Sequence, residues 1–548
     1  MHTLQAFLFS LLSISLAAQT FTEPVEIVNN ELSITIRPDG FIPSIKYLSP
    51  SAEDWVEIAD SIGFWIGGLD NGGNLRLAIA DRGDMEPGFF GTNHLKGIWR
   101  VTREEILDYF ADYQDNLIID DEHPAIFAWP AIGNPLFSAY NNGMELPGPM
   151  ENNGQLASYW NTDSDFTSYN PMAGDFPTVP GFTFPIPSNI PSAHYWLMFQ
   201  IGNVDDLSIP ILSVGLQIFY YECVGAAENL DESIFIYTTF LNKDPQSNLH
   251  LATFGLKVRG LGDRYMHTDT LTSTAILYPP FGLAENCDFD PVQIGPSLGM
   301  KLLRGVRDFS GHYVGLSSSS MIYDVSDGCG IEYPQSTRYP STDQESFNRL
   351  QGYWNDGFPM QAAGDGYDEG QAPLVSYAFP GELASEDQWT EINTGQIPSE
   401  RTVIASNGEV TMVPGAIKSL TFQVSALELA SEFDLFEQVD SLKNKIEIHY
   451  NDFGEFGCTS APRSLFEPEE VRALRINPNP ADDHIKVNLS EDLYLQRVVI
   501  YDMQGRLVLE TEAYRSPSRI EIPALEAGIY ILQAQTNDGV LVSRFVKR

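Results

Sequence analysis

Short apolar runs broken by turn residues dominate this chain. Segments such as ELSITIRPDGFIPSI and FWIGGLDNGGNLRLAIA are rich in β-branched and aromatic residues and stop at Gly, Asn, Asp or Pro, the pattern of strands around tight turns. In the second, Asn71-Gly72-Gly73-Asn74 tolerates positive φ between two apolar runs, which predicts a hairpin. Further strand-like runs follow in YWLMFQIGNV, LSVGLQIFYYECV and ESIFIYTTFLN and continue intermittently to IKSLTFQVSALEL. Two helices stand out. Residues 102–116 place Ile106, Phe110 and Tyr113 on one face, and SEFDLFEQVDSLKNKIEIHY repeats Leu435, Val439, Leu442 and Ile446 at helical spacing behind Ser431 as N-cap, a face suited to packing on the sheets. Residues 124–191, rich in Pro, Gly and Asn, read as an extended surface segment pinned by aromatics.

Composition supports that pattern. With 12% aromatic residues, 44 Gly and 35 Pro, strands joined by many turns are favoured over long helices. At 548 residues, 43% of them hydrophobic, the chain exceeds what one core usually serves. The expected fold is mainly β: a large β-rich extracellular body with few helices, then a C-terminal immunoglobulin-like β-sandwich. The apolar run Leu4–Leu16 is short for a membrane span, and Ser15-Leu16-Ala17 at its end offers a small-x-small cleavage pattern, although no Lys or Arg precedes it. The predicted organisation is therefore a signal peptide at 1–18, the body at 19–454, a polar linker at 455–474 and a final module at 475–548. No other stretch is long and apolar enough for a transmembrane helix.

The formal charge of −43 disfavours nucleic acid and anionic membranes, which need clustered Lys and Arg. Residues 475–548 hold nine Lys and Arg against ten Asp and Glu, so almost all the negative charge lies before them and the shift marks a boundary. Solubility or a saline habitat explains an acidic body, and divalent cations are the other candidate. The four cysteines, Cys223, Cys287, Cys329 and Cys458, form no CxxC pair. An exported chain permits disulfides, and Cys287 with Cys329 is the favoured pair because both sit in turn-rich sequence.

The strongest metal candidate is NTDSDFTSYNPMAGDFP. Asn161, Asp163 and Asp165 alternate as oxygen ligands do around a hard cation such as calcium, Thr167 offers a carbonyl and Asp175 a later carboxylate. Phe166 stands where an EF-hand needs glycine and no Glu closes the loop, so what remains is a looser Asp-rich loop, with a solvated Asx-turn as the alternative. HExxH, Walker and GxGxxG motifs are absent, and the nine histidines lack ligand-like spacing. Asp120-Asp121-Glu122-His123 offers an acid/base cluster, but a charge run ahead of a proline is usually a solvated turn. Trp129, Tyr159, Trp160, Tyr169, Tyr353 and Trp354 lie in Gly/Asn/Pro-rich sequence, where rings either stack on sugars or pin loops to the sheets.

From residue 475 on, HIKVNL, LQRVVIYDM, RLVLET, SRIEIP, GIYILQAQT and LVSRFVK make a small β-sandwich by strand count and spacing. Pro478 and Pro480 cannot donate ladder hydrogen bonds, so INPNP forms an edge or lead-in segment. The succession NPNPADDHIKV, VVIYDMQGRLVLE and IPALEAGIYILQAQTNDGVLVSRFVKR resembles the type A C-terminal sorting domain of the type IX secretion system of Bacteroidota. The matching positions are Pro478, Asn479 and Pro480, Tyr501, Asp502 and Gly505, Gly528, Ile529 and Tyr530, and the basic end at Lys547 and Arg548. That resemblance implies export by the type IX machinery, which would be the partner of this module, and a secreted or cell-surface protein.

A second resemblance covers most of residues 62–454. WIGGLDNGGNLRLAIADRGD, IWRVTREEI, PAIFAWPAIGNP, YNPMAGDFP, LQGYWNDGFPMQAAGDGY and FPGELASEDQWTE look like a family of large secreted Bacteroidota proteins without an established activity. Where such proteins carry an acidic segment with a GCD motif, this chain has FGLKVRGLGDRYMHTDT. The expected role is structural or adhesive, with calcium as the candidate cofactor and an extracellular polysaccharide or protein as ligand. The alternative is a secreted hydrolase acting on polysaccharide or peptide.

Overall fold

The computed structural model describes residues 20–87, 97–116, 118–146, 157–160, 168–179, 190–202, 208–222, 233–279, 295–307, 313–323, 332–368, 370–429, 435–447, 475–477, 481, 483–488, 495–502, 507–512, 518–522, 525, 528–536 and 539–547. The described residues fall into two compact units, the body over 20–447 and the tail over 475–547. Each is mainly β and antiparallel, as the alternating pattern predicts.

In the body, one sheet of ten strands runs in the order Thr20–Phe21, Ile98–Thr102, Ala193–Ile201, Leu212–Tyr220, Ser233–Asn242, Ile417–Leu427, Ser297–Arg304, Thr274–Tyr278 and Tyr265–Asp269, with Met85–Pro87 also on Ala193–Ile201. A second sheet of eight strands runs Ser318–Ile322, Thr402–Met412, Leu249–Gly260, Asp54–Leu69, Ile42–Ser49, Leu32–Ile36 and Val25–Asn29, with Leu75–Ile79 paired to Asp54–Leu69. Phe64, Ile66, Phe254 and Leu256 of the second sheet meet Leu197, Phe199, Phe240 and Phe422 of the first in the main core. Phe240 bridges the sheets, 5.7 Å from the Phe64 ring and 4.5 Å from that of Phe254. The hairpin at Asn71–Asn74 forms as expected. Asp70 Oδ1 accepts from the backbone N–H of Gly72 at 2.8 Å and of Asn74 at 2.9 Å, and Arg76 pairs with Oδ2 at 2.6 Å.

The near-continuous hydrophobicity of YWLMFQI has a two-sided cause. Leu197 and Phe199 face the main core, while Trp196 and Met198 face a second one on the outer side of the same strand. That second core corrects the reading of residues 124–191 as an extended surface segment. Trp129, Ile126, Tyr169 and Phe176 are buried there with Ile106 and Tyr109 of the helix Arg103–Asn116. The helix starts in a reciprocal cap: Thr102 Oγ1 accepts from the N–H of Glu105 at 3.2 Å and Glu105 Oε2 accepts from the N–H of Thr102 at 2.8 Å. The later helix, Leu435–Glu447, buries Val439 and Leu442 against Ile276 and Tyr278 of the ten-stranded sheet. Its proposed N-cap, Ser431, lies outside the described residues.

Outside the eight-stranded sheet sits the helix Asp343–Leu350. Thr342 and Glu345 cap it reciprocally, and Phe347 and Leu350 pack on Trp65, Leu77, Ile322 and Ile404. Two glycines seat it. A Cβ at Gly67 would come within 2.6 Å of Phe347, and one at Gly255 within 2.6 Å of Leu350, so the absence of side chains lets the helix lie close to the strands.

In the tail, a sheet of Arg475–Asn477, His484–Asn488 and Ser518–Glu521 and one of Leu507–Glu512, Leu495–Asp502, Gly528–Thr536 and Gly539–Lys547 enclose Ile485, Val487, Ile520, Val498, Ile500, Tyr530 and Leu532. This is the predicted small sandwich.

Candidate functional site: a charged cavity outside the eight-stranded sheet

Along the strand Leu249–Gly260, Leu256 and Val258 enter the main core, so Lys257 and Arg259 project from the opposite face. Their neighbours are Thr402 of Thr402–Met412, which pairs with Arg259, and Ser61 of Asp54–Leu69. Lys257 pairs with Gly63 but Arg259 with Asp60, so the strand Asp54–Leu69 holds one extra residue here. Ser61, at φ 50°, lies within that bulge, and both Asp60 and Ser61 fall between the inward-facing Ala59 and Ile62. The bulge turns two polar residues outward together.

Lys257, Arg259, Thr402 and Ser61 line a cavity of about 370 Å³ with Asp81, Tyr339 and Glu400. Lys257 Nζ donates to Asp81 Oδ2 at 2.6 Å, and the Tyr339 hydroxyl donates to the same oxygen at 2.8 Å. The ammonium also lies 5.9 Å from the Tyr339 ring centroid. Lys257 is 3% exposed in its side chain, whereas Tyr339 is 47% exposed and makes a T-shaped contact with Trp65. Burial, then the Asp81 carboxylate, hold the Tyr339 phenol above the usual tyrosine range, so it keeps its proton and donates a hydrogen bond to Asp81. Across the cavity, Arg259 bonds Glu400 and reaches Asp60 Oδ2 at 3.5 Å. Asp60 Oδ1 is buried without a partner among the described residues. The cavity therefore presents cations and carboxylates in adjacent pairs beside a half-exposed ring.

Other charged centres of the body are enclosed. Arg401 and Glu391 pair at 2.9 Å with both side chains fully buried; burial opposes the Arg401 charge, but Glu391 and the flanking Tyr323 and Tyr333 outweigh it and hold the guanidinium protonated. Arg349, also buried, donates to Asn355 Oδ1 and the Met321 carbonyl and lies over the Trp354 ring. Neither Arg401 nor Arg349 lines the Lys257 cavity.

Of the residues proposed for calcium, Asn161, Asp163, Asp165 and Thr167 lie outside the described residues. Asp175 is buried; its Oδ2 accepts from the N–H of Asn170 at 2.8 Å and its carbonyl accepts from the Tyr109 hydroxyl at 2.9 Å. The run at 120–123 is organised by a residue not singled out in the sequence. Asp112, on the helix Arg103–Asn116, accepts from the N–H of Asp120 and of Asp121 and from His123 Nε2 at 3.0 Å. One carboxylate oxygen each from Asp112, Asp120 and Asp121 falls within 4.8 Å of the others. Trp129, Tyr169 and Trp354 are buried and bond the carbonyls of Ser158, Ile126 and Gly366, so these rings pin loops; Tyr353 is 39% exposed. All four cysteines, including Cys287 and Cys329, lie outside the described residues.

In the tail, Pro478, Asn479, Pro480 and Gly505 also lie outside. Asp502 and Tyr530 are register partners across two strands, as are Gly528 and Lys547, and Tyr530 and Lys547 are buried. Lys257, Arg259, Asp81, Tyr339 and Glu400 were not identified from the sequence. The available signal was the alternation LKVR inside an apolar strand, which places two cations on one face; their partners come from distant segments.

A family model for the secretion system C-terminal sorting domain matches residues 475–548. The protein thus carries a type IX sorting domain and is secreted or displayed at the cell surface. No curated protein matches the chain. Among solved structures, a polysaccharide lyase is similar at 8% identity and a TM-score of 0.17, over 68% of this chain. The match spans 37% of that lyase, and a likeness of this size bears on neither the fold nor the activity of the present chain. Among the described residues, no helix is long and apolar enough to cross a membrane.

Proposed function

We propose that the body is an adhesive module, carried outside the cell by the sorting domain, that holds an extracellular polymer at the cavity of Lys257, Arg259, Asp81, Tyr339 and Glu400. The observation that carries this reading is that the charged groups of the cavity are already paired. Lys257 is held by Asp81 and Arg259 by Glu400. A hydrolase acting through two carboxylates needs one as a proton carrier and the other as base or nucleophile. Here both carboxylates are engaged by cations, an arrangement suited to orienting hydrogen bonds and poorly suited to moving protons. Hydrolysis of polysaccharide or peptide is the second reading, because Asp81 and Glu400 do line one cavity.

Retention of the purified full-length protein on surfaces coated with polysaccharides or extracellular proteins tests adhesion. Binding to one polymer class supports it; absence of binding across the panel contradicts it. Calcium stabilisation through Asn161, Asp163, Asp165, Thr167 and Asp175 is a separate proposal that the alternation of oxygen-bearing residues supports. Thermal unfolding with and without chelator tests it. A fall in Tm on chelation that disappears in Asp163→Ala with Asp165→Ala is the expected result, and an unchanged Tm contradicts it.

A further inference from the structure

The cavity's hydrogen-bonding inventory narrows what can occupy it. An ammonium carries three N–H donors, and Lys257 uses one on Asp81. Its side chain is 97% removed from solvent, so its remaining donors have little access to water other than at the cavity. Glu400, bonded to Arg259, also lines the cavity. An anionic ligand brought to Lys257 meets the Asp81 and Glu400 carboxylates of the same cavity. A cationic ligand meets a buried ammonium and the Arg259 guanidinium. An apolar ligand covers donors and acceptors without replacing their partners, which is costly when they are buried. A hydroxyl group avoids all three conflicts, because it accepts from a cation and donates to a neighbouring carboxylate at once. Tyr339 supplies the other half of such a site, a ring with 47% exposure whose hydroxyl is fixed by Asp81 and which makes a T-shaped contact with Trp65. The volume, about 370 Å³, falls in the range of small-molecule sites.

We infer that this cavity receives an uncharged, hydroxyl-rich ring, the sugar unit of a neutral polysaccharide, with one face on Tyr339 and its hydroxyls on Lys257 and the neighbouring carboxylates. This rests on the adhesive reading above and names the ligand class of that same site. Tyr339 is the stacking platform, and Lys257 the fixed donor. Because ligand and site are joined by short-range hydrogen bonds and stacking, affinity depends little on ionic strength, unlike attraction between opposite net charges.

The test measures affinity of the full-length protein for soluble starch, xylan and mannan as neutral probes, alginate as an acidic probe and collagen as a protein probe, at low and high salt. Tyr339→Ala and Lys257→Met are compared, with circular dichroism and thermal unfolding to confirm the fold; Tyr339 is half exposed, so its variant retains the fold even if Lys257→Met does not. The expected result is binding of a neutral polysaccharide that is nearly unchanged by salt and falls roughly tenfold or more in Tyr339→Ala, the size of a binding hot spot. Neutral binding unaffected by Tyr339→Ala overturns the inference and leaves adhesion standing. Binding confined to alginate and weakened by salt, or confined to collagen, also overturns it while leaving adhesion standing. No binding to any probe overturns both.

Discussion

Lys257 Nζ and Asp81 Oδ2 lie 2.6 Å apart although their residues are 176 positions apart in the chain. The pair is asymmetric, with side-chain exposures of 3% for Lys257 and 18% for Asp81. Removing Asp81 leaves a buried ammonium uncompensated, whereas removing Lys257 leaves a carboxylate that water and Tyr339 still reach. Asp81→Ala is therefore expected to destabilise the body by about 3–5 kcal/mol and Lys257→Met by clearly less. Urea unfolding of both variants checks the order; equal losses contradict the asymmetry.

The glycine seat beneath the helix Asp343–Leu350 gives a second expectation. Gly255→Val drives a branched side chain into Leu350 and Ile404, so the helix must lift or the strand must bend. A cost of about 1–3 kcal/mol is expected from overpacking. Thr342→Ala removes the cap of the same helix and is expected to cost about 1 kcal/mol. Thermal unfolding of each variant measures both effects.

Two buried histidines predict acid sensitivity. His194, with both ring nitrogens unpartnered among the described residues and the Trp129 ring 4.9 Å away, is pushed down to about 3 by burial. His267 is pushed down to about 4 by burial and by Lys443. The unfolded chain binds these protons near pH 6.5 and the folded chain does not, so both histidines contribute stability above pH 6.5 that is lost as the pH falls towards 4 and 3. For His194 alone the loss at pH 4 is roughly 3 kcal/mol. His194→Phe is expected to flatten the stability profile between pH 6.5 and 4 relative to wild type; an unchanged slope contradicts the assignment.

Deletion of residues 475–548 is expected to leave the body folded, since among the described residues its core draws on none of them. The same deletion is expected to stop it reaching the outside of the cell, because the sorting domain is what the secretion machinery recognises. Fractionation of cells expressing each form reads the outcome directly, and undiminished extracellular protein contradicts the role of the tail.

Strands, the Asn71–Asn74 hairpin and the tail sandwich were legible because period-two alternation and turn residues are local signals. The second core was not, because YWLMFQI reads the same whether one face or both faces are covered, and its partners Trp129 and Tyr169 come from sequence that lacks periodicity. The cavity was legible only in the alternation of Lys257 and Arg259. Asp81, Tyr339 and Glu400 are brought to it by sheet pairing and by a bulge at Ser61, neither of which one sequence displays. Asp112 escaped for the same reason, since it looks like one more solvent-facing carboxylate on a helix until its acceptors are filled by Asp120, Asp121 and His123.

The central claim is that the body holds a polymer at the Lys257–Tyr339 cavity without cleaving it. The most direct test incubates the purified full-length protein with each polysaccharide and protein of the panel and records bound protein and released fragments from the same sample. Retention on one polymer with no fragments released, and loss of that retention in Tyr339→Ala, is the predicted result. Fragments released by the wild type, with release abolished by Asp81→Asn or Glu400→Gln in variants that still fold, would contradict it and identify the body as a hydrolase.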